Sequence, residues 1–469
     1  MYVKIYVYKN LSYIKGEIMK FKPVLDKDFQ PLSEVLRKYR AEVKNAPHDT
    51  LKICVERNKG YNYCFSFDVY KDADKLDISY RVVERLIKSV LWVAGGYKIY
   101  ICGNDTVYER VKKDYSENGA RAFDVDFMST VYERPFEVVK VEEENFPKEN
   151  KCSLKIGGHL EGCRIGFDAG GSDRKVSAVI DGEVVYSEEV VWNPKLSTDW
   201  HYQYDGIKQA FLTAASKMPR VDAVGVSTAG VIIDNRPMVS SIFLKIPKED
   251  KEKYVYPIYI NLAKELGYKI DVENDGDVTA LAGAMSLKEN AVLGIAMGTS
   301  EAVGYINQDG NLNGWISELA FAPVDLNENA MRDEWSGDIG CGVKYFSQDG
   351  VIKLAETAGI KFDESLSPAE KLKVVQKMLA GGDKTAITIF EDIGVYLGYT
   401  LAFYSEFYKI NVLLLLGRVT SGDAGKLIAD KANEVLKAEY PELSIKITFP
   451  DEKMKRVGQS IAAASLTEI

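Results

Sequence analysis

Arg164-Ile165-Gly166-Phe167-Asp168-Ala169-Gly170-Gly171-Ser172-Asp173-Arg174-Lys175 decides how the rest of the chain is read. An apolar run ends in Asp168, two glycines follow, and then a hydroxyl. Alternation resumes through Val176–Ile180, breaks at Asp181-Gly182, and returns through Glu183–Tyr186. This predicts strand, tight turn, strand, with a second hairpin at the Asp-Gly pair. Glycines at the first turn let the backbone bend sharply and bring its N–H groups close to an anion. Ser172 adds a hydroxyl donor, and Asp168, at the end of a buried strand, can hold a metal-bound water. Such a turn suits nucleotide phosphates; a turn without a ligand is the competing reading.

Composition limits what surrounds that stretch. At 469 residues the chain exceeds one ordinary core, so two or three domains are expected. Hydrophobic content of 46% with 28% charged residues fits a globular protein. A net charge of -9 argues against a general nucleic-acid or membrane-surface binder. No signal-peptide pattern opens the chain, and no apolar run has the length of a membrane span, so a cytoplasmic protein is expected. The six cysteines are scattered without a CxxC pair, which suits reduced thiols.

Residues 1–18 read as a mis-assigned extension. Met19-Lys20-Phe21-Lys22-Pro23 resembles a second start, and Lys15-Gly16-Glu17 can be encoded by a purine-rich ribosome-binding sequence. Translation is expected to begin at Met19. Residues 19–150 predict an α/β unit: strands at Leu51–Val55, Tyr63–Tyr70 and Lys98–Cys102, and helices at Ser79–Val93 and Thr106–Tyr115. No helix-turn-helix pattern is present. Val141–Lys151, rich in Glu, Lys, Asn and Pro, reads as a linker.

From residue 164 strands and helices alternate, as in α/β folds. Asp205–Lys217 is expected as a helix capped by Asp205. Strands at Val221–Ser227, Tyr268–Val272, Ala291–Met297 and Asn411–Leu416 each end in a polar or glycine-bearing turn. Helices are expected at Tyr256–Leu266, Val278–Ser286, Pro368–Leu379, Lys384–Tyr408, Ala424–Glu439 and Gln459–Leu466.

Five motifs follow in order: Asp168-x-Gly170-Gly171-Ser172; Gly225-Val226-Ser227-x-x-Gly230; Glu273-Asn274-Asp275-Gly276-Asp277; Gly298-Thr299; and Leu416-Gly417-x-Val419-x-Ser421-Gly422. In that order they resemble the ROK family of sugar kinases and sugar-sensing repressors, over residues 160–469. The resemblance implies two actin/hexokinase-like (ribonuclease H-like) α/β lobes, here joined to an additional N-terminal α/β domain. It implies transfer of phosphate from ATP, with Mg2+, to a hydroxyl of a sugar or related polyol. Asp275 would be the catalytic base, and Asn274 and Glu318 would hold the sugar. Gly170, Gly171 and Ser172 would form the first phosphate loop, with Asp168 binding Mg2+ through water. Gly298 and Thr299 would form the second phosphate loop; Gly417, Ser421 and Gly422 would line the adenosine side. A carboxylate at the carboxyl end of a strand, facing a cleft, suits the base role. The competing reading is that Asp275 caps the following helix. A homodimer is common among the proteins resembled.

Three departures accompany the resemblance. Phe321 stands where the family has a zinc-binding His, and Glu334–Cys341 keeps one Cys of three, so no zinc site is expected. Ser300-Glu301-Ala302-Val303-Gly304 replaces a glycine-rich continuation of the second loop. Arg418 replaces a usual Gly. These changes keep a second reading open: a non-catalytic sugar- or nucleotide-binding sensor of the same fold.

Overall fold

The computed structural model describes residues 19–152, 156–451 and 458–469. Residues 1–18, on which the expected start bears, lie outside them.

The chain opens with helix α1 (Leu32–Val43), strands β1 (His48–Glu56) and β2 (Asn62–Tyr70), and helix α2 (Leu76–Ala94). Strand β3 (Lys98–Cys102), helices α3 (Asp105–Asp114) and α4 (Ala122–Tyr132), and strand β4 (Glu137–Lys140) complete this unit. Its sheet runs β2-β1-β3-β4, with β1 antiparallel to both neighbours and β4 parallel to β3. Helix α2 forms because Val82, Val83, Leu86, Ile87, Val90 and Leu91 recur at helical spacing, and all six are buried. It stops at Gly95, whose φ of 81° an L side chain rarely adopts. Helices α1 and α4 were not expected from the sequence. The segment read as a linker is docked: the Asn62 N–H donates to the Asn150 carbonyl at 2.9 Å.

The first lobe is built from β5 (Cys163–Ala169), β6 (Asp173–Ile180), β7 (Glu183–Val191), helix α5 (His201–Ala215), β8 (Ala223–Thr228), and the hairpin β9 (Val231–Ile233) and β10 (Arg236–Val239). A short turn α6 (Lys248–Asp250), helix α7 (Ile258–Leu266) and strand β11 (Ile270–Asn274) follow. The sheet order is β11-β8-β5-β6-β7: three parallel strands flanked by an antiparallel hairpin pair. Both expected hairpins are present. Asp205 does not cap α5, which begins four residues earlier; the Asp199 carboxylate accepts the His201 N–H at 3.0 Å and sets the start there.

The second lobe repeats the plan. Helix α8 (Asp275–Leu287) leads into β12 (Val292–Met297) and β13 (Glu301–Ile306). Helices α9 (Gln348–Thr357), α10 (Pro368–Ala380) and α11 (Lys384–Tyr404) precede β14 (Val412–Leu416), α12 (Asp423–Glu439), β15 (Lys446–Thr448) and α13 (Gln459–Ala464). The sheet runs β13-β12-β14-β15, with β13 antiparallel and the rest parallel. Helix α11 has the length and apolarity to cross a membrane, and most of it is buried in the protein. Its Asp392 carboxylate accepts the Val24 and Leu25 N–H groups at 2.8 and 2.7 Å, as a core helix can.

Three apolar cores result. One fills the first lobe around Phe167, Phe211 and Leu262. One lies between α8, α13 and one face of the second sheet. The third is continuous from Leu36, Val83 and Trp92 of the N-terminal unit to Leu293, Ile295 and Leu415 on the other face of that sheet. The N-terminal unit therefore shares its core with the second lobe. It also meets the first lobe: Val231 of β9 belongs to the same core, and Arg236 pairs with Glu133 at 2.6 Å and Lys59 with Asp234 at 2.5 Å.

Candidate active site

Parallel strands deliver their carboxyl ends to one edge of a sheet, where open α/β folds place ligands. Register pairs Asp168 with Ser227 across β5 and β8, and Thr228 with Asn274 across β8 and β11. The Ser227 hydroxyl donates to Asp168 Oδ1 at 2.8 Å. Gln459 from α13 donates its Nε2 to the same oxygen at 3.2 Å. Burial pushes the Asp168 carboxyl up to about 6, against the hydrogen bond from Ser227; the nearby Asp275 charge adds to the rise.

Asp275 opens α8. Asn274, not Asp275, is the cap: Asn274 Oδ1 accepts the Gly276 N–H at 2.7 Å. Asn274 Nδ2 also donates to the Gly230 carbonyl at 2.8 Å, which leaves one amide hydrogen for anything else. The Asp275 carboxylate accepts the same Gly276 N–H at 3.0 Å. Burial raises its pKa, while the Gly276 N–H and the Lys195 ammonium hold it down. A raised carboxylate is a stronger base, as a proton acceptor needs to be.

The β5–β6 turn differs from expectation in detail. Gly170 and Gly171 lie outside the positive-φ region; they are glycine for space. A Cβ on Gly170 would meet the Asp173 carbonyl at 2.7 Å, and one on Gly171 would meet Lys195 Cε at 2.6 Å. The Ser172 hydroxyl donates to Asp173 Oδ2 at 3.0 Å. Trp192 Nε1 donates to the Gly170 carbonyl at 2.8 Å and fixes the turn from behind. Lys195 thus lies against the turn and within electrostatic reach of Asp275. Ser227 belongs to the second sequence motif, whereas Lys195 and Gln459 were not singled out in the sequence. Lys195 carries no motif, and Gln459 is distant in the chain.

On the second lobe, β12 and β14 run parallel, with Ala296 opposite Leu416. Their turns, Gly298–Ser300 and Gly417–Gly422, are therefore neighbours. Thr299 and Ser300 are exposed, as are Gly417, Arg418, Ser421 and Gly422. The Gly298 N–H donates to the Ser300 carbonyl at 2.9 Å. Gly417 has φ 96° and packs on the Met297 backbone, an approach that leaves no room for a side chain. Gly422 precedes α12 with φ 65°.

Glu301 turns away from these exposed turns. It is only 4% exposed, and neither carboxylate oxygen has a hydrogen-bond partner among the described residues. Burial pushes its pKa up to about 8, helped by Glu318. Glu318 is itself raised to about 8 by burial and by Asp275 and Asp277, which ties it to the carboxylates of the cleft. Asp277, raised to about 7 by burial, accepts the Tyr305 N–H at 3.0 Å. Ser317, just before Glu318, has φ 48°, a left-handed conformation that costs a non-glycine residue about 1–2 kcal/mol.

Phe321, expected in place of a zinc-binding His, packs tilted on Trp92 with ring centroids 4.5 Å apart and edge-on to Trp335 at 5.3 Å. Asp338, in the run that would hold zinc, is ion-paired instead to Arg85 at 2.8 Å, Arg121 at 2.9 Å and Lys88 at 3.1 Å. Those cations hold its carboxyl far below the usual range despite burial. Cys341 is buried beside this network, and burial pushes its thiol well above the ordinary value. Among the described residues no cluster of three or more His, Cys, Asp or Glu could hold a metal. A cavity of about 1020 Å3 lies elsewhere, between α4 and residues 248–256, and holds none of the cleft carboxylates.

No protein-family profile matches the chain, and no curated protein matches its sequence. Solved structures do match in shape. A ROK hexokinase from Thermus thermophilus is 17% identical, with a TM-score of 0.50, covering 65% of this chain and 97% of its own. A ROK-family transcriptional regulator, a homologue of the E. coli MLC protein, is 17% identical, with a TM-score of 0.52, covering 65% and 78%. A ROK glucokinase from Streptomyces griseus, solved with glucose and AMPPNP, is 18% identical, with a TM-score of 0.48, covering 65% and 98%. The protein has the two-lobed α/β fold shared by ROK hexokinases and ROK regulators.

Proposed function

We propose that this chain is a divergent ROK protein that moves the terminal phosphoryl group of ATP to a hydroxyl of a sugar or related polyol. The observation that carries the reading is Asp275. Its carboxylate stands at the head of α8, beside Lys195 and the β5–β6 turn, with its basicity raised by burial. In this reading the acceptor hydroxyl lies between Asp275 and Glu318, and Asp275 takes its proton as the hydroxyl oxygen attacks phosphorus. Asn274 offers its remaining amide hydrogen to the sugar. Lys195 balances charge gathering on the transferred group. The turns at Gly170–Ser172, Gly298–Thr299 and Gly417–Gly422 hold the nucleotide, and closure of the lobes excludes water as a competing acceptor.

The donor set fits a divalent cation brought in with the nucleotide. Asp168 takes the Ser227 and Gln459 hydrogen bonds both on Oδ1, which leaves Oδ2 for a water. Asp168 would hold Mg2+ through water, and Mg2+ would supply charge neutralisation for the phosphates. The protein so read works in the cytoplasm.

The test is phosphoryl transfer from ATP to a panel of sugars and polyols, run with Asp275→Ala and Asp275→Asn alongside the wild-type chain. Turnover by the wild type and none by the variants supports the reading. Equal turnover in all three removes Asp275 from the mechanism. The alternative, a non-catalytic sensor, is favoured by one observation: the second turn lacks flexible glycines after Thr299, and the Gly298 N–H is already spent on Ser300. Sugar binding without transfer would select it.

A further inference from the structure

The stretch from Asn313 to Phe321, which carries Glu318, contains only the short helical turn Leu319–Phe321. Much of what fixes its backbone comes from the N-terminal unit. Arg57, at the end of β1, is 4% exposed. Its guanidinium donates from Nη1 to the Gly314 carbonyl and from Nη2 to the Asn313 carbonyl at 3.1 Å. Two donors of one rigid fork on two successive carbonyls fix two peptide planes at once.

The second tie comes from the end of α2. A helix leaves its last carbonyls without partners of its own. The Val93 carbonyl is one of these, and it accepts the Ser317 N–H at 3.0 Å. That bond pins the residue whose left-handed φ of 48° aims the chain into Glu318. Gly95, just past α2, lies so close that a Cβ there would meet Ile316 Cγ2 at 3.0 Å. Trp315 completes the contact, edge-on to Tyr63 of β2 with ring centroids 5.8 Å apart. The second lobe supplies a weaker hold on Ser317, whose Oγ lies 3.3 Å from the Tyr408 hydroxyl.

We propose that the N-terminal unit is a built-in wall of the substrate pocket, with Arg57 as a positioning residue that holds residues 313–318 and so aims the Glu318 carboxylate into the cleft. The importance of Glu318 rests on the kinase reading; the hold on the loop does not. Without the guanidinium, two half-buried carbonyls lose their donors, and left-handed Ser317 is held by Val93 and Tyr408 alone. The loop then samples other paths, and the substrate end of the cleft loses its shape while the nucleotide turns keep theirs.

The test compares Arg57→Met, which keeps an apolar stem but loses the guanidinium that lies over Tyr61, with Arg57→Lys, which keeps the charge without the fork. Amide exchange across 313–318 is expected to rise about tenfold or more in Arg57→Met, with β14 unchanged and Arg57→Lys between. KM for the phosphorylated sugar rises about tenfold, while KM for ATP stays within about twofold. Should Arg57→Met fail to fold, Arg57→Lys carries the same comparison. Exchange across 313–318 within about twofold of wild type overturns the proposal, as does an equal rise in both KM values. If the wild-type chain phosphorylates no sugar, the kinase reading falls and the exchange measurement alone decides the role of Arg57.

Discussion

The two ends of the cleft are built in opposite ways. At the first lobe the polar groups are paired before any ligand arrives: Asp168 with Ser227 and Gln459, the Gly170 carbonyl with Trp192, Asn274 with Gly230 and Gly276. At the second lobe the buried Glu301 carboxylate and Tyr404 hydroxyl have no hydrogen-bond partner among the described residues, and Glu318 lies close enough to raise Glu301 further. A paired site holds its geometry while its carboxylates stay ionised, here above the value of about 6 to which burial raises Asp168. An unpaired buried carboxylate avoids its desolvation cost by keeping its proton, which makes its region sensitive to pH. The first lobe is thus a hydrogen-bonded frame that titrates at Asp168 near 6, and the second a region whose unpaired carboxylates titrate near 8.

The sharpest break of that comparison is at Asp275. Asp275→Ala is expected to lower kcat about 10³-fold with nucleotide affinity nearly unchanged, measured by coupled ADP release and calorimetry. A fall in both would mean that Asp275 supports the nucleotide turns instead. Next in size is the buried ion cluster that ties the N-terminal unit to residue 338. Lys88 is 1% exposed and pairs with Asp124 at 3.0 Å and Asp338 at 3.1 Å. Lys88→Met leaves those carboxylates short of a partner and is expected to cost about 3–5 kcal/mol in chemical denaturation. A loss near zero would separate the N-terminal unit's stability from the second lobe's.

Glu301 sharpens the pH side of the comparison. Its ordinary value of 4.5 is raised to about 8 in the folded chain. Below pH 4.5 the residue is neutral folded or unfolded. Between 4.5 and 8 the folded chain keeps a proton that the unfolded chain releases, so stability falls as pH rises through this window. Glu301→Gln removes that slope. It is expected to stabilise the chain by up to about 5 kcal/mol at pH 9 and by nothing near pH 4, read from melting curves across pH. A constant difference at all pH values would show that packing, not charge, governs the site.

Local signals made much of this legible. Alternation and the Asp181-Gly182 pair located the first-lobe hairpins, and both residues take positive φ as such a turn requires. The small residues of α13 were visible, and their reason is close approach: Gly166 and Gly225 lie against the Ser460 and Ala463 carbonyls. Illegible were features that depend on distant pairing. Phe123-Asp124-Val125-Asp126-Phe127 alternates like a strand, yet α4 is helical there because its apolar residues meet Trp92 and Phe321. That the N-terminal unit shares a core with the second lobe could not be read from either segment alone. Of the cleft, the strand-end turns and Asn274-Asp275 announced themselves by motif. Arg57, Lys195 and Gln459 act through contacts that no local pattern records.

Lys195 tests whether the first lobe is as fixed as its hydrogen bonds suggest. Its ammonium is 2.8 Å from where a Cβ on Gly171 would lie, and it lowers the pKa of Asp275. Lys195→Ala removes that stabilisation of the ionised base, so the Asp275 pKa rises. The acidic limb of the kcat/KM profile then moves to higher pH, because the base must be ionised to act. Turnover on the plateau falls by about tenfold as charge on the transferred group loses a partner. The direction of the limb separates two accounts of the same loss. A limb moved upward places Lys195 within electrostatic reach of Asp275 during the reaction. A tenfold loss with an unmoved limb places Lys195 on the phosphate side alone, with Asp275 tuned by burial.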